Sequence, residues 1–265
     1  MKAEKIDISN DPRNSNVNNI LNDVRTQPPK NSILLDKNLL PSKGIFYPEK
    51  IYLKKLSTID IKKLATITEQ NSNFIINNII KSSIWEGTGF DYTKILVADK
   101  IWLIFYLRSF TYNDLPFKVR HECKNCGTIA HYDFVLKDLS VTYYDKPIPE
   151  YFEINGDKVS ISFPTISTEM AVEKIKNDPN TLFDIDPGLL DFSSYITKIN
   201  DRNVSLVSAY EYISEMDGMS FSKFTNMVSD YMFIATPYGK FKCPHCDQEL
   251  EIPIPFSASF FLPKI

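Results

Sequence analysis

Residues 121–134 read HECKNCGTIAHYDF, and residues 240–252 read KFKCPHCDQELEI. All four cysteines of the chain lie in these two stretches, as the pairs Cys123/Cys126 and Cys243/Cys246. Each pair is bracketed by strand-forming sequence: FKVRHE and TIAHYDF around the first, GKFK and ELEIPI around the second. A tight turn aims two sulfurs at one point, so two such strand–turn–strand units facing each other would supply a tetrahedral set of four thiolates. Zinc suits that set, because it takes four soft ligands and brings no redox chemistry. A disulfide within one pair would close very little chain and is disfavoured in a reducing compartment. Thioredoxin-like exchange would use one pair and leave the other without a task. Iron, in a rubredoxin-like or iron–sulfur site, stays open as the alternative metal. The expected cofactor is therefore one structural Zn2+ per chain on Cys123, Cys126, Cys243 and Cys246. His121, His131 and His245 are the only histidines, and with four thiolates present they read as surface or supporting residues.

The long separation of the pairs shapes the domain reading. If one metal joins them, residues 115–134 and 238–254 form one zinc-ribbon-like unit, and 135–237 is an insertion with its ends pinned together. Around this clasp the sequence predicts an α+β fold, with a mostly helical core and short β-hairpins. Alternation in IYLKKLS predicts a strand over 51–57, and Ser57 with Asp60 forms a capping-box signature for a helix over 58–70. FIINNII predicts a second helix, and DYTKILVADKIWLIFYLRSF, 91–110, is apolar on several sides and reads as a central one. Asp99 and Arg108 flank its most apolar part, as an anchoring ion pair or as helix-end contacts. YFEINGDKVSISF, 151–163, reads as a hairpin turning at Asn155-Gly156-Asp157. Helices are expected over 167–177, 205–216 and 220–233, and TLFDIDPGLLDFSSYITKI should begin as a loop and become helical. Asp184, Asp186 and Asp191 lack the spacing of a calcium loop and read as a solvated acidic loop.

Residues 1–38 are polar and Asn-rich, and read as a flexible N-terminal arm with one short helix at 17–24, followed by a single globular domain over 39–265. The domain opens on LPSKGIFYPE, residues 40–49, where Lys43-Gly44 predicts a turn and IFY an extended segment leading into Pro48. Phe46 and Tyr47 are candidates either for the chain's own core or for a partner's groove.

Composition narrows the function. The formal net charge is −3, with charges mixed along the chain, which argues against a protein whose task is to grip nucleic-acid backbone. The first residues hold no apolar core of the kind a signal peptide needs, and IWLIFYL at 101–107 is far too short to span a membrane. A reducing cytoplasm and no membrane insertion are expected. No phosphate loop, nucleophile elbow or HExxH helix is present, and a closed four-cysteine site leaves no position for substrate water. Neither catalysis nor a small-molecule substrate is expected.

Taken in order, LPSKGIFYP, the helix bearing Asp99, Lys100, Leu103 and Arg108, the two cysteine pairs and the closing SASFFLP resemble a known family. That family is the base plate hub proteins of T-even-like contractile-tailed bacteriophages, including their hub-assembly factors. The resemblance covers about 39–263, with specific islands at Leu40, Pro41, Ser42, Gly44, Tyr47 and Pro48 and in the helix; 140–235 matches in helical character only. It implies a non-enzymatic structural or assembly protein that binds other hub subunits, present in the host cytoplasm during assembly and then in the virion tail, or leaving once assembly ends. Phe46, Tyr47, Phe260 and Phe261 would be its partner-binding aromatics. The alternative is a zinc-ribbon module that binds nucleic acid in transcription or replication. Lys124, Lys240 and Lys242 would serve it, and Glu122, Asp247, Glu249 and Glu251 oppose it.

Overall fold

The computed structural model of the chain describes residues 27–47, 49–68, 70–178, 185–255 and 258–262; the helix expected at 17–24 lies outside them. Strand β1, Ser32–Leu34, pairs antiparallel with β2, Tyr52–Lys54, and the next residue, Leu35, is buried. Residues assigned to the arm therefore already belong to the fold from Ser32 onward. Ser57 caps α1, Thr58–Leu64, with the expected reciprocal bonds: its Oγ accepts from the Asp60 N–H at 3.2 Å, and Asp60 accepts from the Ser57 N–H at 2.9 Å. This helix stops short of residue 70, because the Asn71 carboxamide oxygen accepts from the Thr68 N–H at 2.7 Å and organises a turn instead. Helix α2, Ser72–Ser83, and the central helix α3, Val97–Tyr112, follow. Trp102, Leu103, Ile104, Phe105 and Leu107 of α3 are all buried, so it is surrounded on several sides, as its sequence predicts.

Between the cysteine pairs the chain first makes β3, Phe117–Glu122, β4, Ile129–Phe134, and β5, Leu139–Thr142. It then builds an inserted module with its own core of Ile154, Val159, Ala209, Ile213, Phe224 and Val228. The module begins with β6, Phe152–Ile154, and β7, Asp157–Ile161, joined at Asn155-Gly156, where both residues have positive φ (55° and 86°) as a type I′ turn requires. Helices α4, Ile166–Lys176, and α5, Pro187–Ser193, come next. Strands β8, Ile196–Ile199, and β9, Arg202–Asn203, complete an antiparallel sheet in the order β6-β7-β8-β9. ITKI is thus a strand, where the sequence reading expected a helix. Asn200-Asp201 supply a second tight turn, with φ of 49° and 63°, and the β-branched alternation around it suits a strand. Helices α6, Leu206–Ser214, and α7, Gly218–Asp230, close the module, with Asp217 capping the second. The acidic residues that are described are employed: Asp186 caps α5, and Asp191 pairs with Lys176 at 2.7 Å.

The chain returns through β10, Ile234–Lys242, to β11, Glu249–Pro253. Strand β10 serves two partners, Ile234–Thr236 and Gly239 pairing with β5 and Tyr238–Lys242 with β11, with a register shift between Thr236 and Gly239. Pro237 cannot donate to a ladder at that point. Gly239 packs so closely that a Cβ there would stand 2.5 Å from the Phe241 ring and 3.0 Å from that of Phe134. A short last helix, α8, Ala258–Phe261, folds back on the main core. Arg108, near the end of α3, donates to the carbonyls of Phe260 and Leu115, both at 2.8 Å, and lies over the Phe260 ring. Tyr112 Oη donates to the Phe261 carbonyl at 2.6 Å.

Candidate metal centre

The two cysteine turns are built alike. In the first, the Cys123 N–H donates to the Thr128 carbonyl at 2.9 Å and the Gly127 N–H to the Cys123 carbonyl at 2.8 Å. In the second, Cys243 N–H reaches the Gln248 carbonyl at 2.9 Å and Asp247 N–H the Cys243 carbonyl at 3.0 Å. Gly127 and Asp247, at equivalent positions, both take the left-handed conformation, with φ of 69° and 54°. Aspartate tolerates that region better than most side chains. Each turn thereby directs its two sulfurs off the end of a hairpin, β3–β4 or β10–β11.

The turns meet. Cys123 Sγ lies 3.7 Å from Cys246 Sγ, Cys126 Sγ lies 3.6 Å from Cys243 Sγ, and all four sulfurs are within 4.8 Å of one another. Metal–sulfur bonds of ~2.3 Å in a tetrahedron place sulfurs about 3.8 Å apart, so the donor set can hold one metal ion without rearranging the turns. Cys123 and Cys243 are buried, Cys126 is exposed and Cys246 intermediate. The centre is therefore closed beneath and reachable from one side. Hydrogen bonds from Thr128 draw the Cys126 thiol down to about 6, and the Asn125 amide draws Cys246 below the usual thiol range. These two thiols lean toward the thiolate that a metal requires, whereas Cys243, against a lowering bond from the His245 backbone, is pushed up to about 11 by burial and by the hydrogen bonds it shares with Cys246 and Cys126. None of the three histidines joins the set among the described residues.

The four aromatics expected to face a partner are placed differently from one another. Tyr47 is 1% exposed, and Phe260 and Phe261 are buried, so in the chain by itself these three belong to the main core. Phe46 alone keeps a free face, at 37% exposure, while its ring also packs edge-on against Tyr144 and Phe163. The segment around them is a series of turns; the expected extended stretch does not form, because Gly44 N–H and C=O are both engaged in turn bonds. Gly44 has φ of 67°, and a Cβ there would stand 2.2 Å from Lys37 Cβ.

What holds this segment was not visible in the sequence. Asp99, wholly buried in the first turn of α3, accepts from the Ser42 N–H at 2.9 Å and from Tyr47 Oη at 2.7 Å. Tyr47 Oη in turn accepts from the Leu96 N–H at 2.8 Å. Burial raises the Asp99 pKa, against the lowering by Ser42 and Tyr47, and burial followed by the Asp99 charge raises that of Tyr47. Asp99 and Arg108 do not pair with each other: each ties its own end of α3 to a distant segment. Lys100, next along the helix, forms a buried ion pair with Glu169 of α4, which also accepts from Asn77 of α2 at 3.0 Å.

The gate formed by LPSKGIFYPE at 40–49, the central helix, both cysteine turns and the aromatic C-terminal segment all fall within one family match. The T4 bacteriophage base plate protein model covers residues 36–262. The chain belongs to that family. The matched span opens just after Leu35 and includes the inserted module. No curated protein and no solved structure matches the chain. Among the described residues of this base plate protein, no helix is long and apolar enough to cross a membrane.

Proposed function

We propose that the chain is a structural or assembly subunit of the baseplate hub in a contractile phage tail, binding other hub subunits and carrying one Zn2+ as an internal clasp. The family match over 36–262 carries this reading. Cys123, Cys126, Cys243 and Cys246 would hold the ion, joining the β3–β4 hairpin to β10–β11 and closing the chain around the inserted module. Four protein ligands complete zinc's coordination, so its role is architectural, and the energy of binding it is also energy of folding. Partner binding would use exposed apolar surface such as Ile45 and Phe46, held on a turn that the Asp99 hydrogen bonds stiffen before any partner arrives. Its setting would be the host cytoplasm during assembly and the tail baseplate afterwards.

The ribbon's charges favour this reading over nucleic-acid binding. In the β10–β11 register Lys240 stands opposite Glu251 and Lys242 opposite Glu249, and in β3–β4 Lys118 stands opposite Asp133. Each of these lysines is matched by a carboxylate across the ladder; Arg120, opposite His131, and Lys124 in the turn are not, and two such cations make no extended basic stripe. Mass spectrometry of purified particles beside infected-cell lysate tests the assignment. Presence in particles at a fixed stoichiometry to hub proteins marks a structural subunit, and presence with hub precursors only in lysate marks an assembly factor. Failure to associate with hub proteins in either sample overturns the proposal.

A further inference from the structure

Asn125 lies inside the first cysteine turn, yet its side chain serves the second. Its Nδ2 is 3.4 Å from Cys246 Sγ, a contact that crosses between the two halves of the centre. The turn itself does not demand asparagine there, since the left-handed positions are Gly127 and Asp247. The equivalent residue of the second turn, His245, is exposed and is not among the clustered donors. A thiolate only accepts hydrogen bonds, so the amide must present its N–H group to the sulfur. Four thiolates around a divalent cation carry two net negative charges, and N–H donors aimed at sulfur spread that charge.

We propose that Asn125 is a positioning residue of the metal centre: it donates across the two turns to Cys246, fixing their mutual placement and moderating the electron density on that sulfur so that the ion is retained. This rests on the metal reading above. It adds that retention depends on a residue that is not a ligand, and that the dependence is one-sided, acting on Cys246 and having no counterpart from His245.

The full chain loaded with Zn2+, or with Co2+ as a spectroscopic probe, provides the test. Asn125→Ala should release Zn2+ to a chromogenic chelator about ten-fold faster, the lower end of the range for residues that support metal ligands. Asn125→Asp keeps the size but replaces the donor with a charge facing the thiolate, and should release it faster still. In the Co2+ form, the sulfur-to-cobalt charge-transfer band should move to lower energy as Cys246 gains electron density. Lys124→Ala, an exposed neighbour in the same turn, should change neither readout. A wild-type chain that holds no metal would defeat the metal reading itself. A wild-type chain that binds one ion, with both Asn125 variants matching it in release rate and band position, would overturn the role of Asn125 alone. Should either variant fail to take up metal while Lys124→Ala loads normally, the dependence on Asn125 stands.

Discussion

Removing one oxygen atom from the gate should be costly. Tyr47→Phe keeps the buried ring and its edge-on packing against Phe90, and deletes only the hydroxyl between Asp99 and the Leu96 N–H. A hydrogen bond to a charged group contributes ~1.5–3 kcal/mol, and a buried donor left without its acceptor costs ~1–3 kcal/mol. The variant should therefore lose about 3–5 kcal/mol, which for a chain of this size lowers Tm by roughly 10 °C. The loss should also depend on pH, with a definite sign. The pKa of Asp99 is already raised by burial, so this group favours the folded state at low pH, and that contribution fades as pH rises through its folded pKa. Deleting the hydroxyl removes a bond that stabilises the charged carboxylate and raises the pKa further. The deficit of the variant should thus grow as pH rises through the folded pKa of Asp99 and shrink as pH falls through it. Thermal unfolding of both proteins over a pH series gives the difference, and the cysteine cluster, common to both, cancels. A Tm within ~2 °C of wild type at every pH would refute the role of the Asp99–Tyr47 hydrogen bond. So would an unchanged Tm with lost hub association, which would make Tyr47 a partner residue after all.

Cys243→Ser leaves three thiolates and a hydrated position; metal analysis should fall from about one ion per chain toward none, and unfolding should shift strongly downward, as chelation of the wild type should also cause. Lys100→Met leaves the Glu169 carboxylate buried without its cation and should cost ~3–5 kcal/mol, while Lys100→Met with Glu169→Gln should recover much of it, a double-mutant cycle read by chemical unfolding. Removing residues 1–35 should lower Tm further than removing 1–26, because only the longer deletion takes β1 and the buried Leu35; equal Tm values would place the start of the fold later. Phe46→Ser, with Ile45→Ser, should weaken co-purification with hub proteins more than it lowers Tm, since both side chains retain exposed surface.

The parts of this fold that were legible in the sequence are those whose information is local. Ser57 and Asp60 are three residues apart and complete each other's cap. Asn155-Gly156 can adopt the two positive φ angles a type I′ turn needs at little cost, so the hairpin is written in two letters. The clustering of the four cysteines was legible for a different reason. Four cysteines in two identical spacings leave few chemical uses, and a tetrahedral ion needs all four, so the long-range pairing followed from ligand number. Asn125 carried no such signal, because an amide in a turn has many ordinary uses and the sulfur it serves lies in a turn far along the chain.

Long-range hydrogen bonding without such stoichiometry stayed hidden. Asp99 and Tyr47 are separated by 52 positions, and nothing in either neighbourhood fixes the pairing. Aromatic residues next to turns suit an interface and a core equally well, so Tyr47, Phe260 and Phe261 could not be sorted by sequence; the fold of the chain by itself buries all three. The run ITKI is ambiguous for a related reason, because four residues are too few to separate a helical period from a strand's alternation. Strand β10 makes the limit concrete. Its GKFK stretch announces a strand, but not that Ile234–Thr236 pair with β5 and Tyr238–Lys242 with β11, with Gly239 meeting both neighbours. Pro237 and Gly239 mark the change of partner, one by lacking a donor and the other by lacking a side chain where Phe134 and Phe241 converge. Through this strand the cysteine cluster and the main core are mechanically one piece, so an ion bound at Cys243 and Cys246 would stiffen the element that also packs against α3.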